Sequence, residues 1–201
     1  MAITINGTGS ITGLSAGGLP DGTVTATDLA SSLDLSGKTV TLPSGTGGKI
    51  LQVVQTVKDN TFVTSATVTD TAVTGLSVSI TPSSSSNKIL VICNLSVAAE
   101  NSQGAAAKLR RGGTAVSVAE AASARSRSSF AGSGYRDNIG GAIRLLNITL
   151  LDSPSTTSAI TYDVVVSSKS NGTYINRSIG DADNDDHLRT CSYITAMEVA
   201  A

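Results

Sequence analysis

The chain has 201 residues, a formal net charge of −1, 29 Ser and 25 Thr, no Trp, and only two Phe and four Tyr. Near-neutrality removes long-range attraction to nucleic acid or to an anionic membrane as a default expectation. No apolar run approaches the roughly 18 residues of a spanning helix, so membrane insertion is not expected either.

The opening MAITINGTGS lacks the charged and apolar regions of a signal peptide, which argues against export by the general pathway. Residues 1–48 carry ten glycines between short apolar pieces such as Ile3-Thr4-Ile5, Ile11-Thr12 and Val40-Thr41-Leu42. None of these pieces can bury its side chains within its own segment. One short helical stretch is predicted over Thr27 to Leu33, with Thr27 as N-cap and Leu29 and Leu33 on one face. The segment is thus either a disordered leader or one ordered against identical neighbours or another protein, and its regular apolar spacing favours the second.

From Lys49 onward the strand patterns lengthen, and Val, Ile and Thr pervade the chain while Glu and Lys are scarce. Ile50 to Val57 is apolar, and Thr61 to Thr69 is a weaker polar strand. Thr74 to Ala99 reads as a central hairpin. Its first arm places Leu76, Val78 and Ile80 inward, Ser83 to Asn87 form the loop, and its second arm turns Ile89, Val91, Cys93, Leu95 and Val97 to the core. The opposite face of that second arm carries Leu90 and Ile92, which a sheet with one wet face would not need. Both are candidates for an oligomer interface, together with Leu29 and Leu33.

Ala105 to Val118 predicts a strand that turns at Arg110-Arg111-Gly112-Gly113 and returns. Residues 120–138 show no sustained period and read as loop with one ragged edge strand. Ile143 to Leu151 resumes the sheet, and Asp152-Ser153-Pro154-Ser155 turns it. Ile160, Tyr162, Val164 and Val166 then alternate inward. Asn171-Gly172 is the best short hairpin signal in the chain, with Tyr174 to Ile179 as its return arm. Cys191, Tyr193, Met197 and Val199 form the inward face of a final strand. About eight to ten strands without a helix pattern predict an all-β protein, an antiparallel sandwich of jelly-roll type over residues 49–201, preceded by an extended Gly-rich segment over 1–48.

Nothing nominates an enzyme. His187 is the single histidine, and it lies in an acidic loop, GDADNDDH, that offers carboxylates without a frame to orient a base. The same loop echoes a calcium site through Asp181, Asp183 and Asp185. It departs at the sixth position, Asp186 in place of Gly, and at the twelfth, Ser192 in place of a bidentate Glu. Glu100, Glu120 and Glu198 suggest no facing carboxylate pair for glycoside hydrolysis. No phosphate-cradling glycine loop, CxxC or HExxH occurs, and neither a cofactor nor a metal is expected. Cys93 and Cys191 read as two inward thiols, free or disulfide-linked. Five Asn-X-Ser/Thr triplets begin at Asn6, Asn94, Asn147, Asn171 and Asn176, as chance supplies in so hydroxyl-rich a chain. Lys108, Arg110, Arg111, Arg125, Arg127, Arg136 and Arg144 make a locally basic run, opposed only by Glu120 and Asp137. The run is either a solvated face that protects sheet edges or an anion-binding patch.

Read together, GKILQVVQTVK, TGLSVSITPSSSSNKILVICNLSVA, LRRGGTAV, ITLLDSPSTTSAITYDVVV and TYINRSIGDADNDDHLRTCSYITAMEV resemble the tail-fibre and related virion structural proteins of bacteriophages, especially those of marine cyanobacteria. The similarity spans residues 38–201, and the leader resembles the opening segments that precede such domains. The resemblance implies a homotrimeric appendage in the virion, made in the host cytoplasm. It would dock on other tail or adaptor proteins through residues 1–48 and display 49–201 to a host surface glycan or protein. An adaptor or capsid decoration, or a carbohydrate-binding domain outside any virion, are the alternatives. Host contact is expected from polar loops, with Arg136, Asp183 and Asp185 as candidate receptor-binding residues, because the scarcity of aromatics leaves little for stacking on sugars.

Overall fold

Alternation of apolar and hydroxyl side chains leaves the chain little choice but strands, and eleven form among the residues described by the computed structural model, which are 49–64, 67–99, 105–132, 143–168 and 172–201. All of these fall in one unit, Gly47–Ala201. The expected leader, with Leu29 and Leu33, lies outside the described residues, as does Arg136.

The strands are β1 (Ile50–Lys58), β2 (Phe62–Val63), β3 (Val68–Ile80), β4 (Lys88–Ala99), β5 (Ala105–Arg111), β6 (Thr114–Val116), β7 (Phe130–Gly132), β8 (Arg144–Asp152), β9 (Ile160–Ser168), β10 (Thr173–Ile175) and β11 (Ser192–Val199). No helix occurs among the described residues. The strands form two antiparallel sheets. The first runs β1-β11-β4-β10-β2, with β8 also paired to β4; the second runs β3-β9-β5-β6, with β7 also paired to β5. The inner faces supply one core. Leu76, Val78 and Ile80 of β3, Leu109 of β5, and Tyr162, Val164 and Val166 of β9 join Ile89, Val91, Cys93 and Leu95 of β4 and Ile194 and Ala196 of β11. Each large side chain so buried stabilises the fold by roughly 1.5–3 kcal/mol.

Four sequence expectations are corrected. The stretch 74–99 is not a hairpin: β3 pairs with β9 in the second sheet, and β4 pairs with β11, β8 and β10 in the first. Both arms turn a continuous apolar face inward, so each belongs to its own sheet and the polar loop between them carries the chain across. Likewise β9 and β10 belong to different sheets, β10 lying between Val97–Ala99 of β4 and Phe62–Val63 of β2. Asn171 itself lies outside the described residues. The polar strand expected over 61–69 reduces to β2, while Val68 already begins β3. Along β3 the register to β9 shifts twice, and Gly75, at φ +83°, supplies the second irregularity with a conformation that L side chains rarely adopt.

The fourth correction concerns the phase of β11. Its inward residues are Ser192, Ile194, Ala196 and Glu198, not the expected Cys191, Tyr193, Met197 and Val199. Cys191 precedes the strand and is exposed, and both cysteines are free. Polar ends at Ser192 and Glu198 disguised the inner face, and each is satisfied locally. Ser192 Oγ donates to Asn176 Oδ1 at 2.6 Å and accepts from Ser96 N at 2.9 Å. Asn176, fully buried at φ 61°, donates through Nδ2 to the Lys58 and Asn60 carbonyls at 2.8 and 3.0 Å, so it ties β1 to the segment leading into β11.

Glu198 is 1 % exposed. Its Oε1 accepts from Ser83 N and Oγ, each at 2.7 Å, and from Asn87 Nδ2 at 2.6 Å, while Oε2 accepts from Gln52 Nε2 at 2.6 Å. Burial pushes the carboxyl upward, but the hydrogen bonds from Asn87, Gln52 and Ser83 outweigh it and hold the pKa down at about 2, against an ordinary 4.5. A carboxyl whose pKa is depressed by folding stabilises the fold above its unfolded pKa, and that stability is lost as pH falls through the folded value. The melting temperature should therefore decline as pH falls from 4.5 to about 2. Thermal melts of Glu198→Gln should start lower at neutral pH and show a much flatter acid limb; a parent-like acid limb in the variant would refute this role.

Candidate functional site

The outer face of the first sheet is built by the residues left over once β4 and β11 have turned their best apolar side chains inward. Strand register aligns Val53, Met197, Leu90 and Leu151 in one row across β1, β11, β4 and β8. The next row holds Gln55, Thr195, Ile92 and Thr149, and the one after it Val57, Tyr193, Asn94 and Asn147. Leu90 and Ile92 are half-buried, covered in part by these neighbours within the sheet. The flanking strands are barer: Val53 and Val57 are each 55 % exposed and Leu151 50 %. Leu145, paired with Ser96, is equally open. A contiguous apolar stripe across four strands is the feature that soluble monomers seldom carry without a partner for it. The structure thus brings Leu90 and Ile92 together on one surface and adds Val53, Val57, Leu145 and Leu151, which sequence reading had left out. Their signal was present, since 51, 53, 55 and 57 share a parity that β1 does not need for its core contact through Val54.

The acidic loop is arranged differently from a metal site. Asp181 accepts from Arg177 and from Arg189, and Asp183 and Asp185 are exposed on the same loop. Among the described residues no cluster of three or more His, Cys, Asp or Glu side chains is placed to hold a metal ion. His187 lies with Nδ1 2.7 Å from Asn184 Oδ1, an amide rather than a carboxylate or a hydroxyl nucleophile. Asp183 and Asp185 are accessible, but no frame converges on them.

Other charged residues join strands. Asp152 of β8 receives Arg111 Nη1 at 2.7 and 2.8 Å and the Tyr162 hydroxyl at 2.6 Å, an ion pair and hydrogen bond that link the two sheets at one end of the core. Burial and the bond to Asp152 both raise the Tyr162 pKa. Arg110 pairs with Asp163 across β5 and β9, which lifts the guanidinium pKa. Lys58, buried at the end of β1, has its pKa lowered by desolvation against the opposing pull of Asp59; its ammonium donates to Asn60 Oδ1 and lies 6.0 Å from the centre of the Phe62 ring. None of these groups opens onto a cleft with a second reactive partner.

The two thiols differ sharply. Cys93 is fully buried and its pKa is pushed up to about 12 by desolvation, whereas Cys191 is exposed. Titration of the native protein with a thiol-reactive disulfide should modify one cysteine per chain, and the second only after denaturation. Rapid modification of two in the native state would contradict the placement of Cys93. No protein-family model matches the chain, and no curated protein is similar to it.

Proposed function

We propose that the chain is a virion structural protein of a bacteriophage, a short homotrimeric tail fibre. In this reading it is mounted through residues 1–48 and contacts the host surface with a jelly-roll sandwich over 49–201. The observation that carries the proposal is the outward apolar row Val53, Met197, Leu90 and Leu151, a sheet face suited to contact with identical copies. The sequence resemblance to phage fibres supplies the biological setting.

Strand order supports the jelly-roll description. β1, β11, β4 and β8 neighbour one another in one sheet, and β3, β9, β5 and β6 in the other. The first long strand thus lies beside the last, and β3, β4 and β5, like β8, β9 and β10, alternate between the sheets. We read this nesting as the double Greek key that capsid and lectin domains use. It closes a core while leaving two broad faces, one for assembly and one for contact.

Light scattering on the full chain at micromolar concentration should give the mass of three copies. Leu90→Asp should yield folded monomer, because an unpaired buried charge costs about 4 kcal/mol, roughly a thousandfold in association. Removing residues 1–48 should abolish incorporation into particles while leaving 49–201 folded. A parent that is monomeric in light scattering would overturn the fibre reading. A trimer that incorporates into particles but does not promote adsorption to host cells would favour the adaptor or decoration role.

A further inference from the structure

The outer face of the second sheet carries a groove of about 710 Å³ where the start of β3, β5, the end of β9 and the loop 124–128 meet. That volume falls in the range of small-ligand sites, roughly 300–1,000 Å³. Three cations line it: Lys108, Arg125 and Arg127. Lys108 is neutralised by Asp70, at 2.8 Å, and the same bond holds the Asp70 carboxyl below its usual range. Arg127 donates through Nε to the Ala119 carbonyl, which fixes the side chain while its Nη groups make no hydrogen bond among the described residues. Arg125 is exposed and forms no ion pair or side-chain hydrogen bond among the described residues. The groove therefore holds two positive charges beyond those its own acid balances.

The remaining lining narrows the ligand. Thr69, Ser126 and Ser128 contribute hydroxyls, that of Ser167 being engaged with Asp70, and Val68, Ala106 and Ala131 supply small apolar surface. Among the described residues no aromatic side chain lines the groove. Base stacking, which gives single-stranded nucleic acid much of its affinity, has no platform there. Hydroxyls that can both donate and accept suit a polyol, and guanidinium groups suit a sulfate or carboxylate borne on it.

We propose that this groove binds an anionic saccharide, one bearing sulfate or uronate groups, with Arg125 and Arg127 pairing with the anion and the surrounding hydroxyls holding the sugar. The inference rests on the host-contact reading for its biological role and deepens it by naming a ligand class and a site. That site is distinct from the acidic loop of Asp183 and Asp185. Because the guanidinium groups are solvent-facing, affinity should fall steeply with added salt.

The test is calorimetry on the full chain with short probes: a sulfated dextran oligosaccharide, an oligogalacturonate, neutral dextran of the same length, inorganic sulfate and oligothymidylate. We expect binding of at least one charged saccharide at low salt, at least tenfold weaker binding of sulfate and oligothymidylate, and none of neutral dextran. Arg125→Ala combined with Arg127→Ala should reduce saccharide affinity at least tenfold, and Asp183→Ala with Asp185→Ala should leave it unchanged. Because Arg127 also holds its loop, Arg125→Glu alone, which leaves the backbone bond from Arg125 N to the Ala122 carbonyl in place and removes no side-chain bond among the described residues, should give the same direction of loss at an unchanged melting temperature. Undiminished binding by the arginine variants, absence of binding to both charged saccharides, or equal binding of oligothymidylate would each overturn the assignment. Oligomeric state, read separately, distinguishes the two proposals. A trimer that ignores saccharides refutes only the groove, and a monomer that binds them through Arg125 refutes only the trimeric fibre.

Discussion

The structure depends on a buried carboxylate. Glu198 sits where the chain crosses from the second sheet to the first, and its oxygens take four hydrogen bonds from the crossing loop and from β1. Burying a charge costs several kcal/mol. Four charge-assisted donors at roughly 1.5–3 kcal/mol each are enough to offset that cost. The arrangement works only if β11, β1 and the loop after β3 arrive together, since each supplies part of one coordination shell. Asn87 extends the knot by accepting the backbone N–H of Ala201. This polar corner joins β1, β11 and the loop between β3 and β4 at one point.

The all-β class, most strand positions and the inward faces of β3, β4 and β9 were legible because alternation there is clean. Leu76, Val78 and Ile80 point where their period says they should. Pairing was not legible. An apolar arm, a polar loop and a second apolar arm look alike whether the arms lie side by side or face to face, and for β3 and β4 the second holds. The phase of β11 failed for a related reason. Its inner face begins and ends in Ser192 and Glu198, so the apolar count favoured the wrong parity; only the distant partners Asn176, Ser83 and Asn87 reveal why polar groups sit inside. The candidate site was half visible. Leu90 and Ile92 stood out as surplus apolar residues on a strand already provided with a core face, but their alignment with Val53 and Leu151 required the register.

The basic run shows how charge written in sequence is redistributed by folding. Lys108, Arg110 and Arg111 are consecutive on β5 apart from Leu109, yet they serve three different partners: Asp70, Asp163 and Asp152. Strand alternation sends Arg111 toward the sheet junction, whereas Lys108 and Arg110 stay on the outer face. Such partly exposed pairs contribute modestly to stability, roughly 0–1 kcal/mol each. Their larger effect is to remove three cations from the pool able to meet a ligand. Of the other cations of the run among the described residues, Arg125 and Arg127 lie on the loop beside the groove, and Arg144 stands exposed on β8 of the first sheet.

The adjacency of β1 and β11 has a consequence for how the chain reaches this state. Gln55 meets Thr195 across a separation of 140 residues. A sheet whose edge waits on so distant a partner has high contact order, and closing such a loop delays the pairing that rewards it. During synthesis β1, with Val53 and Val57 uncovered, must persist unpaired until β11 has emerged from the ribosome. In that interval the open edge is a template for the wrong neighbour, including the same strand on another nascent chain. The stripe suited to assembly is also the stripe most exposed to misassembly before the domain is complete.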